Sequence, residues 1–165
     1  MRVKGFTLIE LLVVIAVLGV LASVVIIELG NVREKAYFSS AKSGLEQLSS
    51  VFRSYAISRG TYPPDVGRGL PPDILYELQG GSWPAAPWPG SVYDWDTWVD
   101  SGTGLPVYQI SIRFCQPADP STCRFPDEPW AKDFQVDSAV YYCIQGPCKA
   151  QVTHPADYPG YCVNC

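Results

Sequence analysis

The strongest constraint on this chain is where proline is absent. All 15 prolines lie after Tyr62. Proline both removes the amide donor and clashes with the preceding turn, so nothing before Tyr62 interrupts a helix in that way. From Phe6 to Ile27 the only charge is Glu10. Further on, Tyr37, Ala41, Leu45, Leu48, Phe52 and Tyr55 recur at steps of four, four, three, four and three, which lines one face of a helix. Arg33, Lys35, Lys42, Glu46 and Arg53 mostly fall on other faces. The pattern predicts one helix from about Phe6 to about Arg59, a rod of roughly 80 Å at 1.5 Å per residue. Its first half is apolar all round and its second half amphipathic. Gly60 is placed to cap it, and Pro63-Pro64 blocks continuation.

Beyond Tyr62 the composition changes. Pro71 to Leu78 reads as a short helix opened by proline and closed by Gly80-Gly81. Residues 82–90 hold Trp83, Pro84, Pro87, Trp88 and Pro89 and read as loop, since proline supplies no ladder hydrogen bonds. Val107 to Phe114 alternates as a strand: Tyr108, Ile110, Ile112 and Phe114 face one way, Gln109, Ser111 and Arg113 the other. Val92 to Val99 is its hairpin partner across Asp100 to Gly104, and Ala139 to Ile144 is a further strand. The expected fold class is α+β: a long N-terminal helix packed on a small antiparallel sheet, with a disulfide-tied C-terminal region.

Three readings compete for the apolar run. A cleaved secretory signal has an apolar core of about 7 to 15 residues and a small-x-small site, and this run is too long and lacks one. A plain membrane anchor fits the length, since about 20 apolar residues span a bilayer, but leaves Glu10 unexplained. An acid inside hydrocarbon costs several kcal/mol and ordinarily has a partner. The third reading rests on Lys4-Gly5-Phe6-Thr7-Leu8-Ile9-Glu10, which resembles the leader-peptidase site of the type IV pilin and pseudopilin family. That resemblance implies cleavage between Gly5 and Phe6 by a membrane prepilin peptidase and N-methylation of Phe6. It implies that Glu10 acts in assembly, pairing with the Phe6 amine of a neighbouring subunit, so that two charges costly in lipid become tolerable together. It also implies a pilin-like fold, and other pilin subunits, an inner-membrane assembly platform, an indirectly reached ATPase and membrane lipid as partners. Many members carry a proline in the membrane half of this helix; this chain has none. The expected organisation is leader 1–5, transmembrane and assembly half 6–29, and exported domain 30–165, with amphipathic helix over 30–59 and loops and sheet over 60–165.

The 165 residues, less the membrane segment, suffice for one small domain. Net charge is −4, and cleavage removes Arg2 and Lys4, two of the 12 basic groups, leaving −6. That balance argues against direct nucleic-acid binding, which needs neutralising Lys and Arg. Arg2 and Lys4 before the run favour an N-terminus inside; Arg33 and Lys35 beyond it blur the contrast, with Glu28 and Glu34 beside them. The six cysteines, 115, 123, 143, 148, 162 and 165, all lie in the distal part. An even, clustered number suits disulfides in an oxidising space. Cys143, Cys148, Cys162 and Cys165 also have some look of a four-thiolate zinc site, but that reading suits a reducing cytosol. Six cysteines allow 15 pairings. The expected pairing joins Cys115 to Cys123, and ties Cys143 and Cys148 each to one of Cys162 and Cys165, fastening the tail to the last strand.

Catalysis is not expected and no cofactor is implied. His154 is the only histidine and has no nucleophile set against it, and Ser39-Ser40-Ala41-Lys42 matches Ser-x-x-Lys without companion motifs. Asp94, Asp96 and Asp100 could offer oxygen to calcium, yet solvated acids discouraging pairing at a sheet edge is the preferred reading. The five tryptophans are read as mostly core, with an exposed aromatic binding surface as the alternative. The expectation is a structural filament subunit; the competing class is a membrane-anchored extracellular binding module that does not polymerise.

Overall fold

The computed structural model describes residues 7–78, 81–115, 123–150 and 159–165, and only the backbone of 24–29, 31 and 75. The Gly5–Phe6 pair and His154 lie outside the described residues. Helix α1 runs Leu8–Arg59 without a break. The chain divides into two units, Met1–Ala36 and Tyr37–Cys165, and α1 contributes to both.

In the first unit the described apolar side chains from Leu8 to Leu21 are all exposed. Among the described residues no helix is long and apolar enough to cross a membrane. Side chains there are described up to Ser23 and again from Val32, and the sequence between runs through Val24 to Ile27 without a charge.

The second unit is built on the predicted stripe. Ala41, Leu45, Leu48 and Phe52 are buried, and Tyr37 and Tyr55 pack against the same core half-buried. The α1 end is capped by Gly60, whose N–H donates to the Ala56 carbonyl at 2.8 Å. Pro72–Glu77 forms the expected short helix, of the 3-10 type, burying Ile74. Strands β1 (Ser91–Val99) and β2 (Pro106–Phe114) form the expected antiparallel hairpin, with Trp95 opposite Ile110 and Tyr93 opposite Ile112. Strand β3 (Ala139–Gln145) pairs antiparallel with β2. A fourth strand, β4 (Gly160–Cys162), adds to β3 in parallel, giving the order β1-β2-β3-β4. The sheet is therefore mixed, not purely antiparallel: three residues opened by glycine carry too little periodicity to be read from sequence.

One face of the sheet meets α1. Phe52 stacks on Trp95 at 3.9 Å between centroids, and Trp95 lies near Tyr62 at 5.8 Å and Tyr108 at 6.1 Å. Trp88 and Phe114 extend this aromatic core. Close approach of sheet and helix depends on Gly44: a Cβ there would lie 2.1 Å from the Tyr93 hydroxyl. The Tyr93 ring is itself buried and has little room to yield. Gly44→Ala is expected to cost about 1–3 kcal/mol of stability by overpacking, and Tyr93→Phe in the same chain should recover part of it. Thermal unfolding of the single and double variants measures both effects.

Candidate functional site

The N-terminal site begins with Thr7 and Glu10. Thr7 precedes the helix, and its N–H and Oγ1–H both donate to Glu10 Oε2 at 2.8 Å. Glu10 N–H donates back to Thr7 Oγ1 at 3.3 Å. This is a reciprocal capping box, which satisfies amides that the first helical turn leaves without partners. Glu10 is thus held at the helix opening with its carboxylate fixed locally and exposed. The role of Thr7 was missed at the level of sequence, although Thr-x-x-Glu before an apolar run is itself the signature.

The cysteines form three bridges. Cys115–Cys123 agrees with expectation. The other expected pairing does not hold: Cys143 joins Cys148, and Cys162 joins Cys165. The reason is local backbone. After β3 the chain turns at Gly146, with φ 85°, where a left-handed residue suits glycine. That turn returns Cys148 to a Cα separation of 5.6 Å from Cys143. The tail is still fastened beside β3, but by an amide rather than a covalent link. Cys143 N–H donates to Asn164 Oδ1 and Asn164 Nδ2 donates to the Cys143 carbonyl, both at 2.8 Å. All four of the cysteines weighed for zinc are consumed in disulfides. Among the described residues no three His, Cys, Asp or Glu side chains are placed to hold a metal ion.

The acids of β1 are not solvated, contrary to expectation. Asp94 is buried and Asp96 is 7% exposed. They occupy the sheet face opposite α1, with Gln109 and Ser111, which are also buried. Period-two alternation placed these residues together; what it could not show is that other segments cover that face. Gly69 N–H donates to Asp94 Oδ1 at 2.6 Å, and Gln109 clasps Lys149 by donating to its carbonyl at 2.7 Å and accepting from its N–H at 3.2 Å. Edge pairing on β1 is discouraged by backbone instead of charge: Trp95 N–H donates to the Gly69 carbonyl at 2.9 Å. Asp100 is separate, its carboxylate accepting from Thr103 N–H and Oγ1–H in the hairpin turn, at 2.8 Å each, which lowers its pKa.

Charge in this layer is unequal. Arg113 reaches Asp94 at 2.7 Å and Asp137 at 3.1 Å, and Arg68 pairs with Asp137 and the Cys115 carbonyl. Burial works to lower the Arg113 guanidinium, yet Asp94, with Asp96 and Asp137, holds it above its ordinary value. Among the described residues two guanidiniums face three carboxylates, and Asp96 is the acid of the three with no ion pair there. Its Oδ2 accepts from two neutral donors, Ser111 Oγ at 3.1 Å and Gln109 Nε2 at 3.3 Å. Burial, then the charge of Asp94, pushes Asp96 up to about 7. Burial likewise raises Asp94, opposed by Arg113 and Gly69.

Of the tryptophans, Trp88 and Trp95 are core, as expected for most of them, while Trp83, Trp98 and Trp130 are half-buried.

Residues 1–26 match the prokaryotic N-terminal methylation motif. That motif on a long helix joined to a small α+β unit defines a pilin-like filament subunit, not an enzyme. The chain is 44% identical over 135 residues to the type II secretion system core protein G of Pectobacterium carotovorum, covering 82% of this chain and 67% of that one. It is 44% identical over 62 residues to the protein of the same name from Dickeya chrysanthemi, covering 38% of this chain and 40% of that one. It is 39% identical over 62 residues to the type IV major pilin protein PilE of Neisseria gonorrhoeae, covering 38% of this chain and 37% of that one. No solved structure matches. The chain belongs to the type II secretion system core protein G family of prepilin-type pseudopilins.

The Asp96 site yields a pH dependence. Its folded pKa of about 7 lies above the ordinary 3.8, so unfolding releases a proton between those values. This carboxyl's contribution to stability is therefore fully present below about 4 and is lost as pH rises to about 7. Asp96→Asn should remove that loss, stabilising the fold on the order of 2–4 kcal/mol at pH 8 with little difference near pH 3.5. Unfolding midpoints of both proteins across that range provide the check.

Proposed function

We propose that this chain is the repeating subunit of a type II secretion-like pseudopilus. It enters the inner membrane as a precursor with its N-terminus in the cytoplasm. Prepilin peptidase cuts between Gly5 and Phe6 and methylates the Phe6 amine. Mature subunits then leave the membrane by packing residues 6–29 against one another, under the action of an inner-membrane platform. The globular unit stays outside the membrane. The observation that carries this reading is Glu10, a fixed carboxylate near the start of an exposed apolar helix, within the methylation motif. A carboxylate so placed is costly in lipid and stabilised by a cation. The Phe6 amine of a neighbouring subunit supplies that cation and sets the register of assembly.

Capping and assembly make different demands on Glu10, so they separate by mutation. Thr7→Ala removes the cap and keeps the carboxylate; loss of a cap costs about 1 kcal/mol and should leave filaments in place. Glu10→Ala removes both and should lower filament yield at least about tenfold, with processing at Phe6 intact. Equal loss in the two variants would sink the charge-pairing role and leave helix capping in its place. The intact mass of unreduced protein from native membranes reports processing directly. The expected chain begins at Phe6, is one methyl heavier, and lacks six thiol hydrogens, one for each cysteine. A chain still beginning at Met1, in cells with active leader peptidase, would make the run a plain anchor.

A further inference from the structure

The three disulfides differ in what they hold and in how far solvent reaches them. Cys115 is 1% exposed within the aromatic core, and its carbonyl receives Arg68. Cys162–Cys165 closes just beyond β4, with Cys162 half-buried and Cys165 exposed. Its ring, Cys162-Val163-Asn164-Cys165, contains the Asn164 amide that exchanges two hydrogen bonds with the Cys143 backbone. Val163 N–H, in the same ring, donates to the Tyr141 carbonyl at 2.9 Å. Strand β4 itself pairs through only Gly160, Tyr161 and Cys162, in parallel, the less stable mode of pairing per residue. Tyr161 packs its ring on Trp130 at 4.5 Å and on Phe38 of α1 at 5.7 Å.

We propose that Cys162–Cys165 is a thiol–disulfide exchange site for a dithiol oxidoreductase, and that its reduction releases β4 from β3, Phe38 and Trp130. A thiolate of the dithiol attacks the exposed Cys165 sulfur. The Cys162–Cys165 bond breaks, a mixed disulfide forms on Cys165, and Cys162 leaves as a thiolate that takes a proton from solvent. The second thiol of the dithiol then attacks its own sulfur in the mixed disulfide and frees Cys165 as a thiol. Two electrons pass to the cystine, and the dithiol becomes a disulfide. Once the ring is open, Asn164 and Val163 are no longer held in register with Cys143 and Tyr141. A three-residue strand without those anchors detaches, and the aromatic face formed by Phe38 and Trp130 is uncovered. Cys115–Cys123, with Cys115 buried in the core and Cys123 half-buried against it, does not take part.

The test uses the full-length oxidised protein in detergent, titrated with dithiothreitol, quenched by alkylation and mapped by peptide mass. Thiols at Cys162 and Cys165 should be labelled at a reductant concentration at least about tenfold below that needed for Cys115 and Cys123. Amide hydrogen exchange at Cys143 and Val163 should then quicken by about tenfold or more, while the Trp95 amide stays protected. In the oxidised protein, Asn164→Ala should quicken exchange at Cys143 without altering the cystine map. The proposal is overturned if all bridges open together, or if Cys162–Cys165 opens while Cys143 and Val163 stay protected. It is equally overturned if the native map joins Cys143 or Cys148 to Cys162 or Cys165, or if Asn164→Ala leaves Cys143 exchange unchanged.

Discussion

The globular unit depends on one side chain more than any other, Trp95. Its ring stacks on Phe52 of α1, its indole N–H donates to the Pro63 carbonyl at 3.0 Å, and its backbone N–H donates to the Gly69 carbonyl. A single residue thus joins helix, sheet and the segment that leaves the helix. An aromatic ring suits the position because it buries a large apolar area yet carries one polar atom that can still find a partner. The residues on either side, Asp94 and Asp96, point to the opposite face and build the charged layer there. Strand alternation therefore makes β1 the boundary between an aromatic core and a buried polar one.

How much of this was legible in the sequence follows from the range of each signal. The stripe from Tyr37 to Tyr55 repeats over five turns, and the structure buries its centre as expected. The β1–β2 hairpin was legible for the same reason, clean alternation bounded by turn residues. What failed was everything that depended on what lies above a surface. Asp94 and Asp96 read as edge charges because no local pattern announces that Gly69 bonds Asp94 and that Lys149 is seated on the neighbouring Gln109. The cysteine pairing failed differently. Pairing follows from whether the backbone turns within a few residues, and Gly146 makes such a turn where a longer closure was expected. The motif at residues 4–10 was legible because its meaning lies in residue types at fixed spacing; the Thr7 cap inside it is obscured because the same Glu10 serves both patterns.

The C-terminal region is held by a recurring device. Gln109 clasps the backbone of Lys149, and Asn164 clasps the backbone of Cys143, each by one donated and one accepted hydrogen bond. A side-chain amide carries both a donor and an acceptor, and so can stand in for a peptide group where a strand has ended. These clasps continue the pairing of the sheet into segments too irregular to form ladders. The filament-forming helix and the domain it carries can thus be stabilised independently, one by packing among copies, the other by its own aromatic core and amides.

The short reach of the cystines has a mechanical meaning. They span 8, 5 and 3 positions along the chain, so none joins one end of the globular unit to the other. A load applied through α1 meets no covalent shortcut across the fold. Resistance to it comes from shear of Phe52 against Trp95 and from strand pairing, both of which re-form after rupture. Nearly all of the contour remains available for extension at roughly 3.3–3.6 Å per residue. Such a unit behaves as an extensible link whose hidden length is limited by noncovalent contacts, and not as a cross-linked rigid bead.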